Sequence, residues 1–247
     1  MASDKTIILI TGANGGIGFE LAAQLLSDAS KHILVGSRSI EKGEAAVKDL
    51  QSRNLPGIVD LVQIDVSDED SILAAANQVE ATYGRLDALV NNAAIASRPG
   101  YTFFQGMIEC FRTNVAGPYA TVEAFAPLLA KSSKTPRIIN VSSGAGSIGL
   151  RLDPNNPFYE MKGDQYRVSK SALNMVNACQ AVEYGRKGWK VFLFCPGFTA
   201  SNLGPHNKIE NGAKPTSEGA RPMVGILNGE RDAEHGGYLK ADGQWQW

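Results

Sequence analysis

Lys5-Thr-Ile-Ile-Leu-Ile-Thr11, followed by Gly12-Ala-Asn-Gly-Gly16-Ile-Gly18 and then Phe19-Glu-Leu-Ala-Ala-Gln-Leu-Leu26, decides the fold of this chain. The β-branched run reads as a buried strand, the glycines as a sharp turn, and the last segment as the start of a helix. Glycine lets a backbone approach a ligand closely, while the free N–H groups and dipole of a helix N-terminus attract a pyrophosphate. Strand, glycine turn and helix in that order point to a dinucleotide. Outward from this stretch, apolar segments at 6–11, 32–36, 58–64, 86–91, 137–142, 189–195 and 237–239 alternate with amphipathic ones at 16–29, 40–53, 68–83, 103–131, 164–186 and 217–228. The alternation predicts βα crossovers, and with them an α/β, Rossmann-type doubly wound, mostly parallel seven-stranded sheet with helices on both faces. Ser67 and Asp70 read as a variant capping pair, and Gly84, Gly185 and Gly188 as helix ends.

The 247 residues, 43% of them hydrophobic, suffice for one full-sized core, so 1–247 read as a single domain. A formal net charge of −1 with interspersed signs offers no basic stripe for nucleic acid. No run approaches the ~18 apolar residues that a membrane span needs. Met1-Ala-Ser-Asp leads into the first strand without a cationic or apolar leader, which together with the cysteine pattern points to a cytoplasmic location. Cys110, Cys179 and Cys195 each sit in apolar sequence and read as buried free thiols. Three histidines without a Cys/His cluster give no metal site. Asn140-Val141-Ser142 fits the glycosylation pattern but falls in a central strand, so it reads as coincidence.

The glycine spacing is Gly-x-x-x-Gly-x-Gly, and the chain continues with Asn91-Asn92-Ala93-Ala94, Asn114, Ser143, Tyr166, Lys170 and Cys195-Pro196-Gly197-Phe198-Thr199. In this order, across residues 6 to 199, these motifs resemble the short-chain dehydrogenase/reductase family; Ala94 stands where the family pattern has a glycine. Within the family the chain is similar to the monomeric carbonyl reductases, through Leu34-Val-Gly-Ser-Arg38, Gly84-Arg-Leu-Asp-Ala-Leu-Val-Asn-Asn92, Asn140-Val-Ser-Ser143 and Glu234-His-Gly-Gly-Tyr238. The resemblance implies a catalytic tetrad of Asn114, Ser143, Tyr166 and Lys170. It also implies a nicotinamide dinucleotide held by Gly12, Asn14, Gly16, Ile17 and Gly18 at the glycine turn. Asp65 would meet the adenine amino group and Val66 its ring, and the backbone of Asn91 and Ala93 would line the adenosine. Pro196, Gly197 and Thr199 would close over the nicotinamide, with Tyr166 and Lys170 at its ribose and Asn114 completing a proton path through its backbone. A helix-approach cap is the rival reading for Asp65, and a bond to neighbouring backbone for Asn91.

A helix of 3.6 residues per turn stacks Tyr166 and Lys170 on one face, where the ammonium is expected to lower the phenol from its ordinary ~10 toward neutrality. Ser143 can donate to a carbonyl oxygen as charge develops on it, while Ser142, on the alternate face, is expected to stabilise the turn. Ser37 stands where NAD-preferring relatives have Asp, and Arg38 can fork onto a 2′-phosphate, so NADPH (NADP+) is the expected cofactor. The second basic residue common in NADP-preferring glycine loops is missing, since Asn14 and Gly15 stand there. The expected reaction is reduction of a ketone or aldehyde, a small-molecule carbonyl substrate with an apolar or aromatic body. Alcohol oxidation is chemically available too, and a non-catalytic dinucleotide sensor or a Rossmann methyltransferase is the alternative that the complete tetrad disfavours. Gly144–Gly163 and Phe198–Pro215 break the pattern just beyond strand ends, where α/β sheets bind ligands. Phe158, Tyr159 and Met161 in the first are expected to touch substrate or a partner subunit. The length of that segment could block the pairing face of the helix bearing Tyr166, which leaves monomer and homo-oligomer both open.

Overall fold

The computed structural model describes residues 5–96 and 100–247; the reading of residues 1–4 lies outside them. Seven strands, β1 (Thr6–Ile10), β2 (Lys31–Ser37), β3 (Ile58–Gln63), β4 (Ala88–Asn91), β5 (Arg137–Val141), β6 (Lys190–Phe194) and β7 (Tyr238–Leu239), form one sheet in the order β3-β2-β1-β4-β5-β6-β7. Each neighbouring pair is parallel. The helices between them are α1 (Gly16–Leu25), α2 (Ile40–Ser52), α3 (Glu69–Tyr83), α4 (Phe103–Phe111), α5 (Gly117–Leu129), α6 (Ile148–Leu152), α7 (Asp164–Gly185) and α8 (Thr216–Leu227). Among the described residues no helix is long and apolar enough to cross a membrane.

Side chains alternate across a strand, and the core divides accordingly. Ile8, Ile10, Ile33, Val35, Ile139, Phe192 and Phe194 pack beneath α1, α2 and α8, with Leu21, Ala46 and Met223. Ile7, Leu9, Leu34, Leu89, Ile138 and Val191 pack on the other face, beneath α3, α5 and α7, with Val79, Phe125 and Tyr184. Because both faces are covered, the strands are continuous apolar runs, as the sequence pattern predicts. The strand order reverses direction between β1 and β4, which opens a crevice at their C-terminal ends.

Three local readings change. The helix expected over 103–131 is interrupted by a π turn, Arg112–Ala116, in which the Gly117 N–H reaches back to the Arg112 carbonyl. The cap of α3 is Asp68, whose side chain accepts from the Asp70 N–H, while Ser67 is engaged with Asp65. Cys110 and Cys195 are buried free thiols, but Cys179 is exposed, because it falls on the outer side of α7.

α5 presses directly on the turn after β3: a β-carbon on Gly117 would lie 2.4 Å from the Val66 carbonyl oxygen. The obstacle is backbone, so it cannot swing aside. Gly117→Ala is therefore expected to lower the unfolding free energy by about 1–3 kcal/mol, the range for overpacking. Urea denaturation tests this, and a variant as stable as the parent would show that α5 has room to retreat.

Candidate active site

The glycine turn is tied to the end of β4 by side chains. The Thr11 hydroxyl accepts from the Asn92 and Ala93 N–H groups at 3.0 and 3.1 Å, and the Asn92 amide donates to the Thr11 and Gly12 carbonyls at 2.9 and 3.2 Å. Gly12 has φ +64°, and a β-carbon on it would stand 2.9 Å from the Ala93 Cα; on Gly18 it would meet the Asn92 amide nitrogen at 2.5 Å. Asn92 thus fills the space that Gly18 leaves, a part that the sequence reading assigned to no residue. Asn91 points elsewhere, donating to the Asn140 side chain at 2.9 Å. Ala94 needs no glycine, since its backbone is not in the positive-φ region. α1 begins at Gly15 in extended backbone, with no side-chain cap among the described residues and no acid in its first turn. A β-carbon on Gly15 would touch nothing within 4 Å, and on Gly16 (φ +58°) only Ser201 at 4.0 Å. Such an uncapped helix start beside open space suits a pyrophosphate; Asn14 and Ile17 flank it in the same turn.

At the far end of the crevice, Ser37 is buried and donates to the Ser39 carbonyl at 2.8 Å, whereas Arg38 is exposed. Asp65 accepts from the Ser67 N–H and hydroxyl at 2.9 and 2.7 Å, which closes the turn leading to α3, while the cap itself is Asp68. Burial raises the Asp65 carboxyl, but the Ser67 bonds and the Arg38 and Arg112 guanidiniums outweigh it and hold it below the ordinary carboxylate value. Arg112 donates from Nε to the Ser67 carbonyl at 2.6 Å and fixes the turn that carries Asp65 and the buried Val66.

The tetrad residues converge where β5, the π turn and α7 meet. Asn114 is fully buried; its amide oxygen accepts from the Ile95 N–H at 2.9 Å, and its nitrogen donates to the Ile95 carbonyl at 2.8 Å and the Ser169 hydroxyl at 3.0 Å. Ser169 passes the chain on to the Tyr166 carbonyl at 2.8 Å. Four residues after Asn114 stands Pro118, which has no N–H, so the ordinary helical donor to the Asn114 carbonyl is missing. The Ser143 side chain, which accepts from the Ala145 N–H at 3.2 Å, lies near enough to the Tyr166 phenol to lower it, and Ser142 turns the other way, donating to Asn174 at 2.7 Å. The Lys170 ammonium lies 5.7 Å from the Tyr166 ring centroid and donates to the Val141 carbonyl at 2.8 Å.

The expected lowering of the tyrosine does not appear in the protein alone. Burial pushes the Tyr166 phenol above its ordinary value, and the Ser143 bond opposes this without reversing it. Lys170, 2% exposed, is itself pushed down by burial to about 8, and its ammonium is directed at a backbone carbonyl. Burial disfavours the charged form of each, Lys170 being buried and Tyr166 half-buried.

The last wall is the turn after β6. Gly197 has φ +76°, and the Thr199 hydroxyl donates to the Pro196 carbonyl at 3.0 Å. Cys195, which the sequence offered only as a buried thiol, joins two loops: its sulfur accepts from the Gly144 N–H at 3.1 Å and the Gly197 N–H at 3.3 Å. The 144–163 segment is pinned as well. Arg167, next to Tyr166, donates to the Phe158 and Met161 carbonyls at 3.0 and 3.1 Å, and Arg151 to that of Tyr159. Phe158 then packs edge-on against Phe198, ring centroids 5.8 Å apart, so the segment arches across to the Pro-Gly turn.

The family model for short chain dehydrogenases matches residues 6–211. This chain belongs to the short-chain dehydrogenase/reductase family. A short-chain dehydrogenase of Penicillium roqueforti is 41% identical over 228 residues, 90% of this chain and 88% of that one. The (+)-neomenthol dehydrogenase of Arabidopsis thaliana is 31% identical, covering 87% of this chain and 89% of its own. Among solved structures, the NADPH-bound carbonyl reductase from chicken fatty liver superposes with a TM-score of 0.83 at 27% identity, covering 98% of this chain and 99% of that one. The family is one of oxidoreductases, and the seven-stranded parallel sheet is the fold shared with this neighbour.

Lys170 gives the site a pH signature. Its folded-state value of about 8 lies below the 10.5 of an unperturbed lysine, so between those values the unfolded chain binds more protons and stability rises with pH. The free-energy difference between the parent and Lys170→Met should therefore move in the parent's favour between pH 8 and 10.5. Chemical denaturation at pH 7, 9 and 10.5 measures it, and a pH-independent difference would mean that Lys170 is not a buried ammonium.

Proposed function

We propose that this chain reduces a ketone or aldehyde to an alcohol with NADPH, residues 1–247 acting as one oxidoreductase domain. The observation that carries this reading is the approach of the Lys170 ammonium to the Tyr166 ring, 5.7 Å from its centroid, with Ser143 beside the phenol. The residues at that turn fit a dinucleotide: Gly12 and Gly16 adopt positive φ, and α1 offers an uncapped N-terminus to an anion. Gly12, Asn14, Gly16, Ile17 and Gly18 would hold the pyrophosphate, Asp65, Val66, Asn91 and Ala93 the adenosine, and Pro196, Gly197 and Thr199 the nicotinamide. NADPH, when bound, supplies the hydride.

The chain's own residues do the rest. Ser143 donates to the substrate carbonyl oxygen and holds it against Tyr166. Tyr166, kept protonated by its buried setting, gives its proton to the oxygen as the carbonyl is reduced. Lys170, whose ammonium is poorly solvated, gains a favourable partner in the phenolate that this step leaves, which offsets part of the cost of forming it. Asn114 anchors the π turn whose backbone would take a water on the way to Lys170, a path for the proton that restores Tyr166.

For the cofactor, Arg38 is exposed at the end of β2 and no acid stands at Ser37, whose hydroxyl is turned into the Ser39 carbonyl. The chicken carbonyl reductase that shares the fold is an NADPH complex.

Tyr166→Phe removes the transferable proton and leaves the cofactor walls in place, so turnover of a carbonyl panel, followed by NADPH absorbance, should fall at least a hundredfold with the NADPH dissociation constant nearly unchanged. Turnover within tenfold of the parent would take the acid role away from Tyr166. Arg38→Ala should cost on the order of 1.5–3 kcal/mol in binding NADPH and nothing in binding NADH. Equal losses for both cofactors would make Arg38 a structural residue, and parental preference for NADH would overturn the NADPH assignment.

A further inference from the structure

A second strip of backbone pairing, separate from the main sheet, brings a lysine into the mouth of the site. The Lys214 N–H donates to the Phe198 carbonyl at 3.0 Å and the Ala200 N–H to the Lys214 carbonyl at 2.9 Å, so Thr199 and Lys214 form a parallel bridge. This short ladder turns the Lys214 side chain back over the Pro-Gly turn. Its Nζ and Cε lie 3.5 and 3.6 Å from where a β-carbon of Gly197 would stand. Glycine at 197 thus serves twice, adopting φ +76° and leaving room for an ammonium.

That ammonium is half-buried and close enough to Cys195 to oppose, with the bonds to its sulfur, the upward push of burial on the thiol. Cys195 accepts from Gly144 as well as Gly197, and Gly144 follows Ser143 directly. Lys214 therefore borders the space between Ser143 and the Pro-Gly turn. Among the described residues no carboxylate pairs with it, whereas Lys131, Arg137 and Arg231 each hold one at 2.5–2.8 Å. Arg151 and Arg167 donate to the carbonyls of the 144–163 arch, and Lys170 to that of Val141. A partly desolvated cation without a counter-charge is unfavourable until an anion meets it. The Phe158 and Phe198 rings pack on each other between the same two loops and supply aromatic surface there.

We propose that Lys214 selects carbonyl substrates that carry an anionic group, a carboxylate or a phenolate, on an aromatic body. The ammonium holds that group while Ser143 and Tyr166 take the carbonyl oxygen, a role that rests on the carbonyl-reducing reading above. The same positive charge could instead meet a phosphate of the cofactor, and the experiment separates the two.

Benzoylformate, 3-acetylbenzoate and 4-acetylbenzoate, each beside its methyl ester, serve as probes for the parent, Lys214→Met and Lys214→Arg, with NADPH affinity measured in parallel. The parent should prefer at least one acid to its ester in kcat/KM. In Lys214→Met that acid-to-ester ratio should fall tenfold or more, mainly through KM of the acid, with the NADPH dissociation constant shifted less than twofold, and Lys214→Arg should recover most of the ratio. An unchanged ratio in Lys214→Met overturns the proposal. So does a tenfold loss of NADPH affinity with acid and ester falling together, which assigns the ammonium to a cofactor phosphate. If the parent turns over no probe, the carbonyl-reducing reading fails for this class, and calorimetric binding of the three acids to the NADP+-loaded protein decides for Lys214: tenfold weaker binding in Lys214→Met upholds its role, and equal or absent binding overturns it.

Discussion

Thr11 and Asn92 exchange hydrogen bonds across the gap between β1 and β4, the one place in the sheet where neighbouring strands send their chains in opposite directions. A parallel sheet wound both ways must open there, and the opening is useful only if its two lips keep a fixed distance. The Thr11 hydroxyl and Asn92 amide set that distance, with Gly18 giving up its side chain so that Asn92 can reach across. From that fixed gap follow the direction of α1, the position of the loop after β4, and through Ile95 the attachment of Asn114. The catalytic corner is therefore referenced to the glycine turn through a continuous run of short polar contacts, not through the apolar core.

The fold was legible because a doubly wound sheet imposes two coarse signals, apolar runs of strand length and amphipathic stretches between them, and both survive small errors in boundaries. Strand alternation together with the family's phrase set Ser143 apart from Ser142, and the structure turns Ser142 away to Asn174. Finer features were hidden for stateable reasons. The π turn looked like ordinary helix because its sequence remains amphipathic; Pro118, four residues after Asn114, was the available clue that the local hydrogen bonding is broken. Asn92 was overlooked in favour of its neighbours because its importance lies in a cavity made by a distant glycine, which no local pattern reports. Cys179 follows the hydrophobic pattern of its neighbours but falls on the outer side of α7, where helical phase outweighs local composition.

The tyrosine and lysine show why adjacency in sequence does not fix a charge state. Spacing alone predicts an ammonium that lowers the phenol, yet burial is the larger effect on each group. The lysine spends its hydrogen bond on the Val141 carbonyl at the end of β5, so its position is set by the sheet and its charge remains available to whatever anion forms nearby.

The π turn between α4 and α5 also has a rotational meaning. One extra residue in a continuous helical run shifts everything after it by about 100° around the axis. α5 can thereby keep Val122, Phe125 and Leu129 against the sheet while Asn114 faces the Ile95 loop, two directions that a regular helix of this sequence would not offer together. The inserted residue works as a phase shifter: changes in the length of this region by one residue would re-aim an entire helix face, whereas substitutions within either half leave the other's bearing untouched. The two halves of this long element are free to diverge independently, one answering to packing and the other to chemistry.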